Sequence, residues 1–160
     1  MMEHRITPFL WYDSQAEEAA TFYVSLFPDS RITSVSRYPE GGPMPAGQAM
    51  VVEFELEGLP VSAMNAGPIF SFTEAFSFSV RADTQDDIDR LWDALIADGG
   101  APSQCGWLKD RWGLSWQIVP GILAELQNDP DRERAARAMR CMMGQTKLVI
   151  AELVAAADDR

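Results

Sequence analysis

The chain carries a single histidine, His4, and only two cysteines, Cys105 and Cys141. Two thiols cannot frame a disulfide scaffold, which points to a reducing compartment. One imidazole ahead of the first structured segment leaves no base to activate a serine or cysteine nucleophile, so Cys105 reads as a passive thiol. Basic residues are scarce: 13 Lys and Arg stand against 24 Asp and Glu, a formal charge of −11 at pH 7. Nucleic acid and anionic membrane both need clustered cations, so neither is expected as a partner. No apolar run approaches the roughly 20 residues of a membrane-spanning helix, and the start of the chain lacks the pattern of a secretory leader. The expectation is a complete, cytoplasmic protein. Also missing is a glycine-rich loop between strand and helix followed by an acidic ribose partner, so a doubly wound nucleotide site is not expected.

What is present suits a folded core. The 160 residues, 47% hydrophobic and 23% charged, fit one domain or two small similar modules. Residues 6–12 read as a strand with Leu10 and Tyr12 on one face and Thr7, Phe9 and Trp11 on the other. Ser14 and Glu17 have the spacing of a capping box. They open a helix that carries Ala16, Ala19, Ala20, Tyr23 and Leu26 and stops at Pro28-Asp29. Residues 31–38 are strand-like and 39–47 a loop. Residues 50–56 alternate cleanly, with Val52, Phe54 and Leu56 pointing one way and Glu53, Glu55 and Glu57 the other. Gly58 turns the chain back through residues 59–65. After Ala66-Gly67-Pro68, Phe70 and Phe72 are aromatics in a connector, expected to lie as a lid over apolar surface.

At Phe76 the pattern restarts. Phe76, Phe78 and Val80 alternate with Ser77, Ser79 and Arg81, and Thr84 with Asp87 repeats the cap. Ile88, Leu91, Trp92, Leu95 and Ile96 form an apolar helical stripe that Gly99-Gly100 ends. A hairpin follows: strand 107–110, a turn over 111–114 that needs Gly113, and strand 115–119 ended by Pro120. Three tryptophans fall within ten residues here. Trp116 and Ile118 share one face, while Ser115, Gln117 and Val119 share the other. Gln117 is a polar residue in the middle of a short apolar strand, open to a pocket-facing role or to a solvated sheet face. The halves repeat strand, capped helix and antiparallel strands at an offset of about 70 residues, an internal duplication. The tail offers a short helix over 122–126, a helix opened by Asp129-Pro130 with Ala135, Ala136, Met139 and Met142, and a last helix with Leu148, Ile150 and Val154. With no core of its own, it is expected to pack on the modules or on a second copy. Cys141 lies on its Met-rich helix and reads as core. The expected divisions are 1–68, 69–120 and 121–160.

Several motifs carry a family likeness. They are Ile6-Thr7-Pro8-Phe9-Leu10-Trp11-Tyr12, Ala16-Glu17-Glu18-Ala19, Phe22-Tyr23, Glu53-Phe54-Glu55-Leu56, Asn65-Ala66-Gly67-Pro68, and Gln104-Cys105-Gly106-Trp107-Leu108-Lys109-Asp110 through Trp116-Gln117-Ile118-Val119-Pro120. With the repeated β-α-β-β-β unit, they make a chain that resembles the vicinal oxygen chelate superfamily of glyoxalase I, bleomycin resistance proteins and extradiol dioxygenases. Within it the chain is similar to the PhnB-like family, often labelled 3-demethylubiquinone-9 3-methyltransferase-like. The resemblance implies an α+β fold of two βαβββ modules, each curling a mixed sheet round a cavity with helices outside, and chains that pair as homodimers. It also implies metal-binding positions at Thr7 or a neighbour, Ala63 or Asn65, Ser77 and Gln117. Threonine and serine do not hold a divalent ion, so no tightly bound metal or other cofactor is expected.

Two functions are then open. The first is a metal-independent binding protein for a small, partly aromatic or apolar molecule, its pocket built from Phe9, Trp11, Asn65, Phe70, Phe72, Trp107 and Gln117. The second is an enzyme of the superfamily type, a lyase or isomerase or the methyltransferase of the label, with Glu53 or Glu55 as general base. Lys109 is a further candidate, able to pair with an anionic ligand.

Overall fold

The computed structural model describes residues 5–159; His4 lies outside them. The first half runs β1 (Phe9–Tyr12), α1 (Ala16–Leu26), β2 (Arg31–Arg37), β3 (Ala49–Leu56) and β4 (Leu59–Asn65). The second runs β5 (Ser77–Ala82), α2 (Gln85–Ile96), β6 (Ala101–Pro102), β7 (Trp107–Lys109) and β8 (Ser115–Pro120), followed by α3 (Ile122–Gln127), α4 (Arg132–Gly144) and α5 (Ile150–Asp158). Each half makes a four-stranded mixed sheet on one plan, β1-β4-β3-β2 and β5-β8-β7-β6. In both, the first strand pairs parallel with the last and the remaining pairs are antiparallel. This is the repeat of strand, helix and antiparallel strands that the sequence pattern implied, in the α+β, twice-used βαβββ form that the resemblance implied. The chain divides into two compact units, residues 1–71 and 72–160, the tail helices falling in the second.

In the first unit, Leu10, Tyr12, Val52, Phe54, Leu56, Val61 and Ala63 are buried on one sheet face. The helix α1 brings Ala16, Ala19, Ala20 and Tyr23 to that core, all fully buried. Tyr12 Oη and Tyr23 Oη share a hydrogen bond of 3.0 Å, so neither buried phenol is unpaired. The expected Ser14–Glu17 capping box does not form. Gln15 holds the cap position without a side-chain bond to the helix's own N–H groups, and Arg37 takes the Glu17 carboxylate at 2.8 and 3.0 Å. The cap comes instead from β4. Asn65 lies opposite Tyr12, where β1 leads into α1, and its Oδ1 accepts from the Ala16 N–H at 2.8 Å. Its Nδ2 donates to the Ala49 carbonyl at 2.9 Å, and its own carbonyl accepts from Tyr38 Oη at 2.6 Å.

In the second unit, α2 is capped as expected, Thr84 Oγ1 accepting from the Asp87 N–H at 3.2 Å. It packs on β5, β7 and β8, burying Ile88, Leu91, Trp92 and Leu95 with Phe78, Ala82, Leu108, Trp116 and Ile118. The strand β5 begins at Ser77, one residue past the expected start; Phe76 stays exposed with its ring edge-on to Phe78. The two-residue edge strand β6 was not anticipated. It includes Pro102, which has no amide to donate and suits an edge. Gly113, at φ +86, makes the hairpin turn. Its organiser is the buried Asp110: Oδ1 accepts from the Trp112 and Leu114 N–H groups at 3.0 Å each, and Oδ2 from Trp116 Nε1 at 2.9 Å.

The tail corrects its expectation. Leu123, Leu126, Ala138, Leu148, Leu153 and Ala157 form a buried cluster, with Val119, Ile122, Cys141 and Met142 packed against it. The tail therefore has a small core, and it docks on the second module. The Cys105 and Gly106 amides donate to the Gln145 and Thr146 carbonyls at 2.8 Å each. Gly106 has φ +82, and a Cβ there would stand 2.7 Å from the Ile118 carbonyl and 3.0 Å from Leu148, so only glycine allows this close approach. The helix α4 starts two residues later than the Asp129-Pro130 expectation. Asp131 caps it, because Asp129 accepts from the Asp131 N–H and pairs with Arg134. Among the described residues no helix is long and apolar enough to cross a membrane.

Candidate functional site

Strand alternation gives each sheet a second face, opposite its helix. On the first, register aligns Phe9 with Ser62, Glu53 and Ser34, and Trp11 with Met64, Val51 and Ser36. Phe9 is 57% exposed. Trp11 is half-buried; its Nε1 donates to the Gly67 carbonyl at 2.9 Å, and Phe70 meets its ring edge-on at 4.9 Å. Phe9, Trp11 and Phe70 thus belong to one aromatic side of the first unit. Asn65 does not join them. It lies on the buried face with both ends of its amide bonded internally, so its polar group is committed to the cap of α1. Glu53 and Glu55 occupy the open face as alternation implied. Glu53 is exposed, and Glu55 forms an ion pair with Arg31 at 2.7 Å.

The open face of the second sheet is different. One row reads Trp107, Gln117, Ser79 across β7, β8 and β5; the next reads Lys109, Ser115, Ser77. Gln117 is half-buried, and its Nε2 donates to Ser77 Oγ at 2.9 Å. A hollow of about 230 Å³ lies beside the second row, lined by Trp107, Lys109 and Ser115 together with Ala101, Pro102 and Ser103 at the β6 edge. Glu74, on the connector ahead of β5, also lines it and reaches Lys109 Nζ at 2.5 Å. The Lys109 ammonium holds the Glu74 carboxyl below its ordinary range, chiefly through that hydrogen bond. Phe72 is half-buried in the same unit. Ser115 is 1% exposed, and among the described residues its Oγ has no hydrogen-bond partner. Alternation had put Ser115 on the Gln117 face, but a lone serine carries no further sequence signal. Glu74, in an irregular connector, carried none. A larger hollow of about 650 Å³ lies on the tail among Asp131, Glu133, Arg137 and Arg140, with charges of both signs and none of the sheet residues.

The residues do not fit a tightly held divalent cation. Thr7 is exposed, Asn65 is bonded internally, and Gln117 and Ser77 are bonded to each other. Neutral hydroxyls and amides are weak donors for such ions. Among the described residues no three of His, Cys, Asp and Glu are placed to hold a metal ion. Cys105 and Cys141 are free, half-buried thiols.

Residues 4–119 match the model of a family described as 3-demethylubiquinone-9 3-methyltransferase. Among solved structures, a PhnB protein from Bacillus cereus described by the same enzyme name is 35% identical. It superposes with a TM-score of 0.69 over 74% of this chain and 100% of that one. Protein PA1353 from Pseudomonas aeruginosa is similar at 19% identity and a TM-score of 0.61, with 74% and 98% covered. The fosfomycin resistance protein FosX from Mesorhizobium loti is similar at 15% and 0.53, with 78% and 97% covered. At those identities the likeness is one of fold alone. No curated protein matches the chain. The family match spans well over half of the sequence and agrees with the twice-used βαβββ plan: the chain belongs to the PhnB-like, 3-demethylubiquinone-9 3-methyltransferase family of the vicinal oxygen chelate superfamily.

Proposed function

We propose that this PhnB-like chain binds a small, partly aromatic or apolar molecule on its open sheet faces, without a tightly bound catalytic metal. The observation that carries the reading is the pairing of Trp107 with Gln117 across β7 and β8, beside a hollow of about 230 Å³. An aromatic wall next to an oriented amide is the usual make-up of a small-molecule site, with apolar area for affinity and a few polar groups for orientation. The hydrogen bond from Gln117 to Ser77 fixes that amide before any ligand arrives. Phe9, Trp11 and Phe70 supply aromatic surface of the same kind in the first unit. Asn65 contributes through the cap of α1.

The enzymatic alternative draws less support. A general base needs a carboxylate taken out of water and left unneutralised. Glu53 is exposed and Glu55 is neutralised by Arg31. The family description names methyl transfer, but the sequence has no glycine-rich strand-to-helix loop for a nucleotide-like methyl donor.

Benzamide, a neutral single-ring probe, tests the reading by titration calorimetry on the full chain. Trp107→Ala and Gln117→Ala are each expected to weaken its binding about tenfold, the effect of one lost ring contact or hydrogen bond, with the melting temperature nearly unchanged. Equal affinity in both variants and the parent would reject the site.

A further inference from the structure

The geometry points to an anion seat in the second unit's hollow, where Lys109 and Ser115 receive the carboxylate of a single-ring aromatic acid and Glu74 occupies that seat as an internal stand-in. The inference rests on the binding reading above and names the chemical class of the ligand. Lys109 and Ser115 are directly opposed on β7 and β8, so their side chains leave the sheet side by side on one face. Trp107 lies two residues before Lys109 on the same strand and face, roughly 6–7 Å along the chain. An aryl carboxylate spans that interval, its ring on Trp107 and its charged end on Lys109.

Two features of the hollow call for such a group. Ser115 Oγ is buried with no hydrogen-bond partner among the described residues, an arrangement that folding disfavours unless something accepts its proton. A carboxylate oxygen beside Lys109 is such an acceptor. Lys109, the cation of the hollow, already holds a carboxylate in Glu74, which shows the chemistry the ammonium accepts. Glu74 is 66% exposed on a connector, so its bond to Lys109 is of the weak, solvent-screened kind. A ligand carboxylate that also accepts from Ser115 and brings a ring to Trp107 has the stronger set of contacts. The volume, about 230 Å³, falls below the range of drug-sized sites and suits a single-ring molecule.

The test titrates benzoate and benzamide, equal in ring and shape but different in charge, into the full chain. Benzoate is expected to bind at least about tenfold tighter than benzamide, as a charge-assisted bond implies. Lys109→Gln should remove that preference, weakening benzoate far more than benzamide. Glu74→Gln should tighten benzoate severalfold by removing the competitor. Ser115→Ala should weaken benzoate severalfold without lowering the melting temperature, since among the described residues the hydroxyl has no internal bond to lose. A Ser115→Ala variant unchanged toward benzoate would make that hydroxyl a mere packing defect and overturn its role. Equal binding of the two probes overturns the anion seat and leaves the neutral site standing. Weaker benzoate binding in Glu74→Gln overturns the stand-in. Failure of both probes, in the parent and in Glu74→Gln, overturns the seat and the binding reading together.

Discussion

The two modules follow one chain path and stabilise their helices in different ways. In the first, α1 brings three alanines and one tyrosine to the sheet. It is located by hydrogen bonds, from its first turn to Asn65 and between Tyr23 and Tyr12. In the second, α2 brings Ile88, Leu91, Trp92 and Leu95 and carries its own cap in Thr84. One helix is held by polar ties from the sheet, the other by buried volume. The open faces diverge in the same manner. The first carries carboxylates and aromatics; the second carries a half-buried amide and, around a hollow, a lysine and a hydroxyl with no hydrogen-bond partner among the described residues. Duplication kept the backbone plan and let the chemistry on it separate.

The sharpest way to break the contrast is at the volume-held helix. Trp92 is 4% exposed, and Trp92→Ala should destabilise by about 3–5 kcal/mol, the range for a buried tryptophan cut to alanine. Urea unfolding measures it. A midpoint within error of the parent would take α2 out of the core and dissolve the distinction.

A smaller effect compares the caps. Asn65→Ala removes the partner of the Ala16 N–H and of the Ala49 carbonyl, in a residue that is 1% exposed. Leaving both groups buried and unpaired is expected to cost about 2–3 kcal/mol. Thr84→Ala removes an exposed cap bond and is expected to cost about 1 kcal/mol. Equal losses in the same unfolding experiment would mean that a cap from a distant strand is no more than a local one.

These two caps also mark how much was legible. Where partners are close in sequence, alternation and spacing found them: the Thr84–Asp87 cap, the Gly113 turn, and the faces of β3 and β8. Ser14 and Glu17 satisfied the same spacing rule, yet the structure uses Asn65, 49 residues away in sequence. Spacing cannot see a side chain that the sheet brings round, and the salt bridge to Arg37 that diverts Glu17 is equally non-local. The core of the tail was missed for a related reason. Its apolar residues are spread singly over three short helices and Leu148, and become a cluster only when α4 and α5 lie together. At the site, Trp107 and Gln117 stood out because each is unusual where it sits. Ser115 and Glu74 are ordinary residues, made notable only by burial without a partner and by reach across to Lys109.

The smallest expected effect concerns acid. Asp89 is held below the ordinary carboxylate range chiefly by its hydrogen bond from Lys147, and Asp129 chiefly by its bond from Arg134. Both contacts hold the tail, one to α2 and one at the entry to α4. A carboxyl whose folded pKa lies below its unfolded value adds stability that is fully present above the unfolded value, about 4, and is lost as pH falls through the folded one. The tail should therefore loosen on acidification below about pH 4, read as lower amide protection factors in α4 and α5, each rate being taken against the intrinsic rate at its own pH. Added salt should shift it the same way at neutral pH, because exposed pairs are screened. Asp89→Asn should carry part of this loosening at pH 7 and flatten the acid response. If the protection factors in α4 and α5 are the same at pH 7 and pH 3, the docking rests on the Leu148 and Leu153 cluster alone, and the tail belongs with the volume-held helix.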